Sequence, residues 1–146
     1  MKIALGGDHA GFEYKADLID KLTKKGFEVK DFGPFSADSV DYPDFVHPVS
    51  EEVEKGNYDF GVLLCGSGNG AQITANKYPN VRAALGWTKE QAELSRQHND
   101  ANILSLPGRF VSFELAWEMV QIFLNTDFEG GRHAQRVQKI SKVKSN

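Results

Sequence analysis

With 146 residues, 40% of them hydrophobic and 25% charged, the chain can bury one proper core but not two, so a single domain over residues 1–146 is expected. A net charge of −3 leaves no surplus of cations for a phosphate backbone, which argues against a nucleic-acid partner. No apolar run reaches about 18 residues, Met1–Gly6 is too short an apolar run for a signal peptide, and one cysteine cannot pair internally. The expected setting is therefore soluble, reducing and cytoplasmic, away from membranes.

In chain order, strand and helix patterns alternate. Ile3–Gly6 is a short apolar strand, and Phe12–Lys25 places Phe12, Ala16, Ile19 and Leu22 at helical spacing before Gly26. Phe27–Phe32 reads as a second strand and Gly33–Tyr42 as a polar loop, the one candidate mobile segment. Pro43 then opens a helix carrying Phe45, Val46, Val49 and Val53 to Gly56. Phe60–Cys65 is the third strand, followed by a glycine-rich turn and a helix over Ala71–Lys77. Val81–Gly86 is the fourth strand, and Thr88-Lys89-Glu90-Gln91 is a capping box for a helix ending near His98. Asn102–Leu106 is the fifth strand. Ser112–Leu124 is amphipathic, with Ala116, Trp117, Val120, Phe123 and Leu124 on one side. A last helix spans Ala134–Val143, and Lys144-Ser145-Asn146 reads as a frayed tail.

Five apolar strands separated by helices require right-handed crossovers, which cover both faces of a parallel sheet. The expected class is α/β: a Rossmann-like three-layer sandwich with a five-stranded parallel sheet and an additional C-terminal helix.

Cys65 is the chain's only cysteine, and it stands where the third strand enters Gly66-Ser67-Gly68-Asn69-Gly70. Strand ends of this kind hold the chemistry of open α/β sheets. Alternate glycines let backbone N–H groups converge on an anion, and a helix start would favour a thiolate with a lowered pKa. The plainer reading is that a lone cysteine is one more small buried side chain. Gly66–Ala71 also fits the G-x-G-x-x-G/A dinucleotide pattern, but it follows the third strand rather than the first, and no carboxylate closes the next strand. Asp8-His9, His98-Asn99-Asp100 after the fourth helix and Pro107-Gly108-Arg109 are expected on the same rim as Cys65. Arg132 and Arg136, four apart, form a pair suited to phosphate. Each has an ordinary alternative: a helix cap at Asp8, a helix end at His98-Asn99, solvated charges at the arginines. Together they describe a site for a small phosphorylated molecule, with a thiol and an imidazole to move protons. His9, His47, His98 and His133 show no metal-ligand spacing, so no metal is expected.

Gly6-Gly7-Asp8-His9-Ala10-Gly11, Asp41-Tyr42-Pro43, Cys65–Gly70, Ala75-Asn76-Lys77, Ser95–Asp100 and Gly130-Gly131-Arg132-His133 together resemble the sugar-phosphate isomerase family of ribose-5-phosphate isomerase B, from Ile3 to about Ile140. That family also includes galactose-6-phosphate and allose-6-phosphate isomerases. The resemblance implies a cofactor-free exchange of ribose 5-phosphate and ribulose 5-phosphate through an enediol, as in the pentose phosphate pathway. It implies Cys65 as base, with Ser67 beside it, and His98 as the acid that opens the sugar ring. Asp8, His9 and Asn99 would hold the sugar, the amides of Gly66, Ser67, Gly68, Asn69 and Gly70 the enediolate, and Arg109, Arg132 and Arg136 the phosphate. It further implies a homodimer, or a tetramer, with sites made by both chains. Ser67 stands where many members have Thr and keeps the hydroxyl. A hexose-6-phosphate isomerase and a non-catalytic phosphosugar-binding module are the alternative functions. A flavin-type electron carrier on a similar sheet is a third, one that a colourless protein would exclude.

Overall fold

The sheet is built from β1 (Lys2–Gly7), β2 (Glu28–Asp31), β3 (Phe60–Cys65), β4 (Ala83–Leu85) and β5 (Ile103–Pro107), all parallel, in the order β2-β1-β3-β5-β4. A computed structural model describes residues 1–143, so the tail Lys144-Ser145-Asn146 lies outside the described residues. The helices are α1 (Phe12–Lys24), α2 (Pro43–Glu54), α3 (Asn69–Ala75), α4 (Lys89–Gln97), α5 (Phe113–Asn125) and α6 (Arg132–Ile140), with a single 3-10 turn at His9–Gly11.

Side-chain alternation along the strands divides the core in two. Ile3, Leu5, Val62, Leu64, Leu104 and Leu106 meet Leu18 and Leu22 of α1, Ala92 of α4 and Met119, Val120 and Phe123 of α5. Ala4, Leu63, Cys65 and Ile103 point the other way, onto Val46, Val49 and Val53 of α2 and Ala71 and Ala75 of α3. Near-continuous apolar strands are what two covered faces demand, and the result is the expected three-layer sandwich. The first chain reversal of the sheet falls between β1 and β3, where their carboxyl ends open a crevice.

The elements follow the sequence patterns with two instructive differences. The buried stripe of α1 is Lys15, Leu18 and Leu22, while Ala16 is exposed and Ile19 half-buried. Lys15 is fully buried because its ammonium donates to Asp31 Oδ1 at 2.5 Å and to the Pro34 carbonyl at 2.6 Å, tying α1 to the end of β2 and the loop beyond. A pairing partner far along the chain is invisible to periodicity. At α4, Thr88 Oγ1 accepts from the Gln91 amide at 3.1 Å as a cap should, but the Gln91 side chain accepts from the Trp87 amide rather than from that of Thr88. Of α6, only His133 is buried. No helix among the described residues is long and apolar enough to cross a membrane.

Candidate active site

Cys65 ends β3 facing α2 and α3, and only 4% of it reaches solvent. The turn beyond it is clamped by β5 and the loop that leaves β5. Gly108 and Arg109 donate their amides to the Cys65 and Gly66 carbonyls, at 2.8 and 3.0 Å, and the Ser105 hydroxyl donates to the Gly68 carbonyl at 2.8 Å. Gly68 has φ +77°, a left-handed conformation open to glycine, and it lies against Leu85 and Ser105. A Cβ on Gly70 would run into the Tyr42 ring. Ser67 Oγ accepts from the Asn69 amide at 3.3 Å where α3 begins. The Arg109 guanidinium lies over Gly66, and nearby Trp87 and Phe110 pack with ring centres 5.4 Å apart.

Asp8 closes the neighbouring strand end. Its amide donates to the Leu64 carbonyl at 3.1 Å, and its carboxylate accepts from the Ala10 amide at 2.9 Å, so it does serve as a cap. The His9 ring accepts from the Val40 amide at 3.4 Å. Asp8, His9, Cys65, Gly66, Ser67, Gly68, Asn69, Gly70 and Arg109 thus share the carboxyl rim of the sheet.

The expected lowering of the Cys65 pKa is contradicted. Burial pushes the thiol up to about 12, the nearby Asp8 carboxylate adds to the shift, and a hydrogen bond from the Asp8 backbone offsets only part of it. The start of the seven-residue α3 does not outweigh desolvation. Within the single chain these surroundings favour the protonated thiol at neutral pH.

A second correction concerns His98 and Asn99. They follow α4 and precede β5, whose residue Ile103 pairs with Gly61 at the start of β3. A turn that leads into a strand of a parallel sheet lies at the amino rim, opposite the turns that leave the strands. From Gly61 to Cys65 is four steps of about 3.3 Å, so the rims are on the order of 13 Å apart. The order of the fourth helix and fifth strand already implies a turn that enters a strand, and grouping it with the turns that leave strands is what put the two sets together.

On the amino rim, buried Arg96 organises the turn. It donates to Asp100 Oδ1 at 2.9 Å, the Ala101 carbonyl at 2.7 Å and the Thr126 carbonyl at 3.0 Å, with its guanidinium over Phe60. Asp100 takes φ +48° and also pairs with Arg82 at 3.3 Å. The Glu129 amide donates to the Gln97 carbonyl at 3.0 Å, drawing the Gly130-Gly131 turn and α6 against the end of α4. A cavity of about 320 Å³ results, lined by His98, Asn99, His133, Arg136, Val137 and Ile140. Arg132 opens α6 with its side chain exposed, four residues before Arg136.

Sequence reasoning passed over Ser105 and gave no part in the site to Tyr42 or His133, though both lie in motifs that carry the family resemblance. Ser105 carried a signal, a lone hydroxyl in the apolar run Ile103-Leu104-Ser105-Leu106; Tyr42 against Gly70 carried none. His133 stacks on His98, with ring centres 4.2 Å apart and planes 13° from parallel, and its Nε2 lies 3.5 Å from Glu129. The ligating atoms of His98, Glu129 and His133 lie within 4.8 Å of one another. Stacked imidazoles direct their lone pairs side by side, however, whereas a metal needs them to converge.

A second cavity of about 640 Å³ runs between the two groups, from Gln72 on α3 and Asn76 just after it, past the outer edge of β4, to Asn99, Ile140 and Val143. Ile140 and Val143 are exposed beside it, as is Ile73 on α3.

Residues 3–140 match the pattern of the Ribose/Galactose Isomerase family. The chain is 43% identical over 142 residues to ribose-5-phosphate isomerase B of Escherichia coli strain K12, covering 97% of this chain and 95% of that one. Its fold superposes on a ribose 5-phosphate isomerase of Thermotoga maritima with a TM-score of 0.95 at 49% identity, covering 97% and 98% of the two chains. It superposes on ribose-5-phosphate isomerase B of Mycoplasma genitalium with bound ribulose-5-phosphate with a TM-score of 0.94 at 41% identity, covering 97% and 94%. A family pattern that spans nearly the whole chain, together with relatives this similar in sequence and fold, means that the chain belongs to the ribose/galactose isomerase family.

Proposed function

We propose that this protein interconverts ribose 5-phosphate and ribulose 5-phosphate, a reaction of the pentose phosphate pathway, in a site completed by a second copy of the chain. The observation that carries the reading is the buried Cys65 beneath a clamped glycine turn, with Asp8, His9 and Arg109 on the same rim. The Mycoplasma genitalium relative with bound ribulose-5-phosphate supports the choice of a pentose phosphate.

His98 gives a proton to the ring oxygen of the furanose as the C1–O bond breaks and the anomeric hydroxyl loses its proton, leaving an open-chain aldehyde. The Cys65 thiolate removes the proton from C2, and the electrons move onto the carbonyl oxygen to form an enediolate. Amides of Gly66–Gly70 and the Ser67 hydroxyl stabilise the charge on its oxygens. A proton passes from the C2 hydroxyl to O1, and return of the abstracted proton to C1 gives the ketose. Asp8, His9 and Asn99 hold the sugar hydroxyls, while Arg109, Arg132 and Arg136 hold the phosphate and fix the reacting carbons in place.

The separation of the two rims supports a homodimer. One chain offers the base, another the acid and two arginines. The cavity along β4 joins α3, which starts in the Cys65 turn, to Asn99, beside His98. A two-fold contact there sets the Cys65 turn of one copy against the His98 turn of the other, and reciprocally. The second copy's cations would also oppose burial and the Asp8 charge, favouring the thiolate. A thiol near 12 leaves roughly one in 10⁵ ionised at pH 7, too few for a working base.

The test is turnover of ribose 5-phosphate by wild type and Cys65→Ala without added metal, beside allose 6-phosphate and galactose 6-phosphate. Pentose turnover that vanishes in the variant is the expected result. Turnover of a hexose phosphate alone would overturn the substrate, and no turnover at all would favour a binding module.

A further inference from the structure

Among the described residues, the one closely stacked pair of imidazoles joins His98 to a residue the reaction above leaves without a part. His133 is 8% exposed, the sole buried residue of α6, and its ring covers that of His98 at 4.2 Å and 13°. A turn with two left-handed glycines, Gly130 at φ +67° and Gly131 at φ +54°, brings it there, and the His133 amide closes that turn on the Gly130 carbonyl at 3.0 Å. Arg96 and Gln97 of α4 hold the same loop through Thr126 and Glu129.

We infer that His133 is a positioning residue for His98: its flat face holds the acid's ring in the orientation that reaches the sugar's ring oxygen, and Glu129 fixes His133 in turn. The inference rests on the ring-opening role proposed above. A neutral partner is required, because two imidazoliums face to face repel. The surroundings supply one: burial, His98, Arg132 and Arg136 hold the His133 pKa below its ordinary value, against the opposing pull of Glu129. A neutral aromatic face is also a favourable neighbour for a protonated ring.

Ribulose 5-phosphate separates the two halves of the reaction. Its O5 carries the phosphate, so it cannot close a furanose ring, and exchange of its C1 hydrogen in D2O needs the base but not the ring-opening acid. His133→Ala is expected to slow ribose 5-phosphate turnover on the order of tenfold while leaving that exchange and KM within about twofold. His133→Phe, which keeps a flat face, should recover most of the loss, and His133→Ala should cost nothing more in a His98→Asn background. Should His133→Ala not fold, His133→Phe with near-normal turnover beside a slowed Glu129→Gln supports the assignment. Equal losses in both assays, a rise in KM with turnover intact, or no recovery with Phe would overturn it. A wild type that does not turn over ribose 5-phosphate would defeat the parent reading and this one with it.

Discussion

The two rims of this sheet carry complementary chemistry on different kinds of support. At the carboxyl rim the backbone builds the site: Cys65 is nearly sealed, and Ser105, Gly108 and Arg109 fasten its turn from β5 and beyond. At the amino rim side chains build it, on the end of α4 and on α6, of which only His133 is buried. Arg132, Arg136 and Asn99 stand exposed. The difference teaches that backbone folding fixes the geometry of the first half, whereas the second rests on exposed side chains; in the dimer proposed above each half is completed by the other copy.

Variants can break this contrast. The largest effect is expected from Cys65→Ala, which should lower both aldose turnover and C1 exchange by a factor on the order of 10³ or more while ribulose 5-phosphate still binds by calorimetry. Next comes His98→Asn, which should cost about 10² in ribose 5-phosphate turnover and leave the exchange reaction largely intact. Equal losses in the two assays would erase the division of labour between the rims. Arg136→Ala should raise KM for ribose 5-phosphate by about tenfold through loss of a charged hydrogen bond, with kcat less affected.

Two stability measurements sharpen the picture of the carboxyl rim. Lys15→Met leaves Asp31 without its cation, and because Asp31 is partly exposed the loss should be about 2 kcal/mol in urea unfolding. In the single chain the Cys65 pKa is raised on folding, so there its contribution to stability is complete below about pH 9 and is lost as pH rises toward 12. Above pH 9 the melting temperature of wild type, diluted until the chains are single, should therefore fall more steeply than that of Cys65→Ala. Parallel curves would mean that the thiol is not held protonated.

Much of this was legible in the residues. The strand and helix periods located all five strands, and the glycines after Cys65 marked the turn because only glycine tolerates the φ of Gly68 and the contact of Gly70 with Tyr42. The burial of Lys15 was not legible, since its partners Asp31 and Pro34 lie 16 and 19 residues away. The Cys65 pKa was misjudged because a helix start can be read from sequence, while the depth of burial and the approach of Asp8 cannot. His98 was placed on the wrong rim, because the rim a turn occupies depends on whether it enters or leaves a strand; its part in the reaction belongs to the proposal.

Complementation tests most directly whether one site needs two chains. Cys65→Ala and His98→Asn chains, each nearly inactive alone, are co-expressed and purified through two different tags so that every dimer contains one of each. One site of such a dimer then pairs both lesions, and the other pairs intact Cys65 with intact His98. The account predicts recovery of about half the wild-type rate. A mixed dimer as inactive as its parents would contradict it.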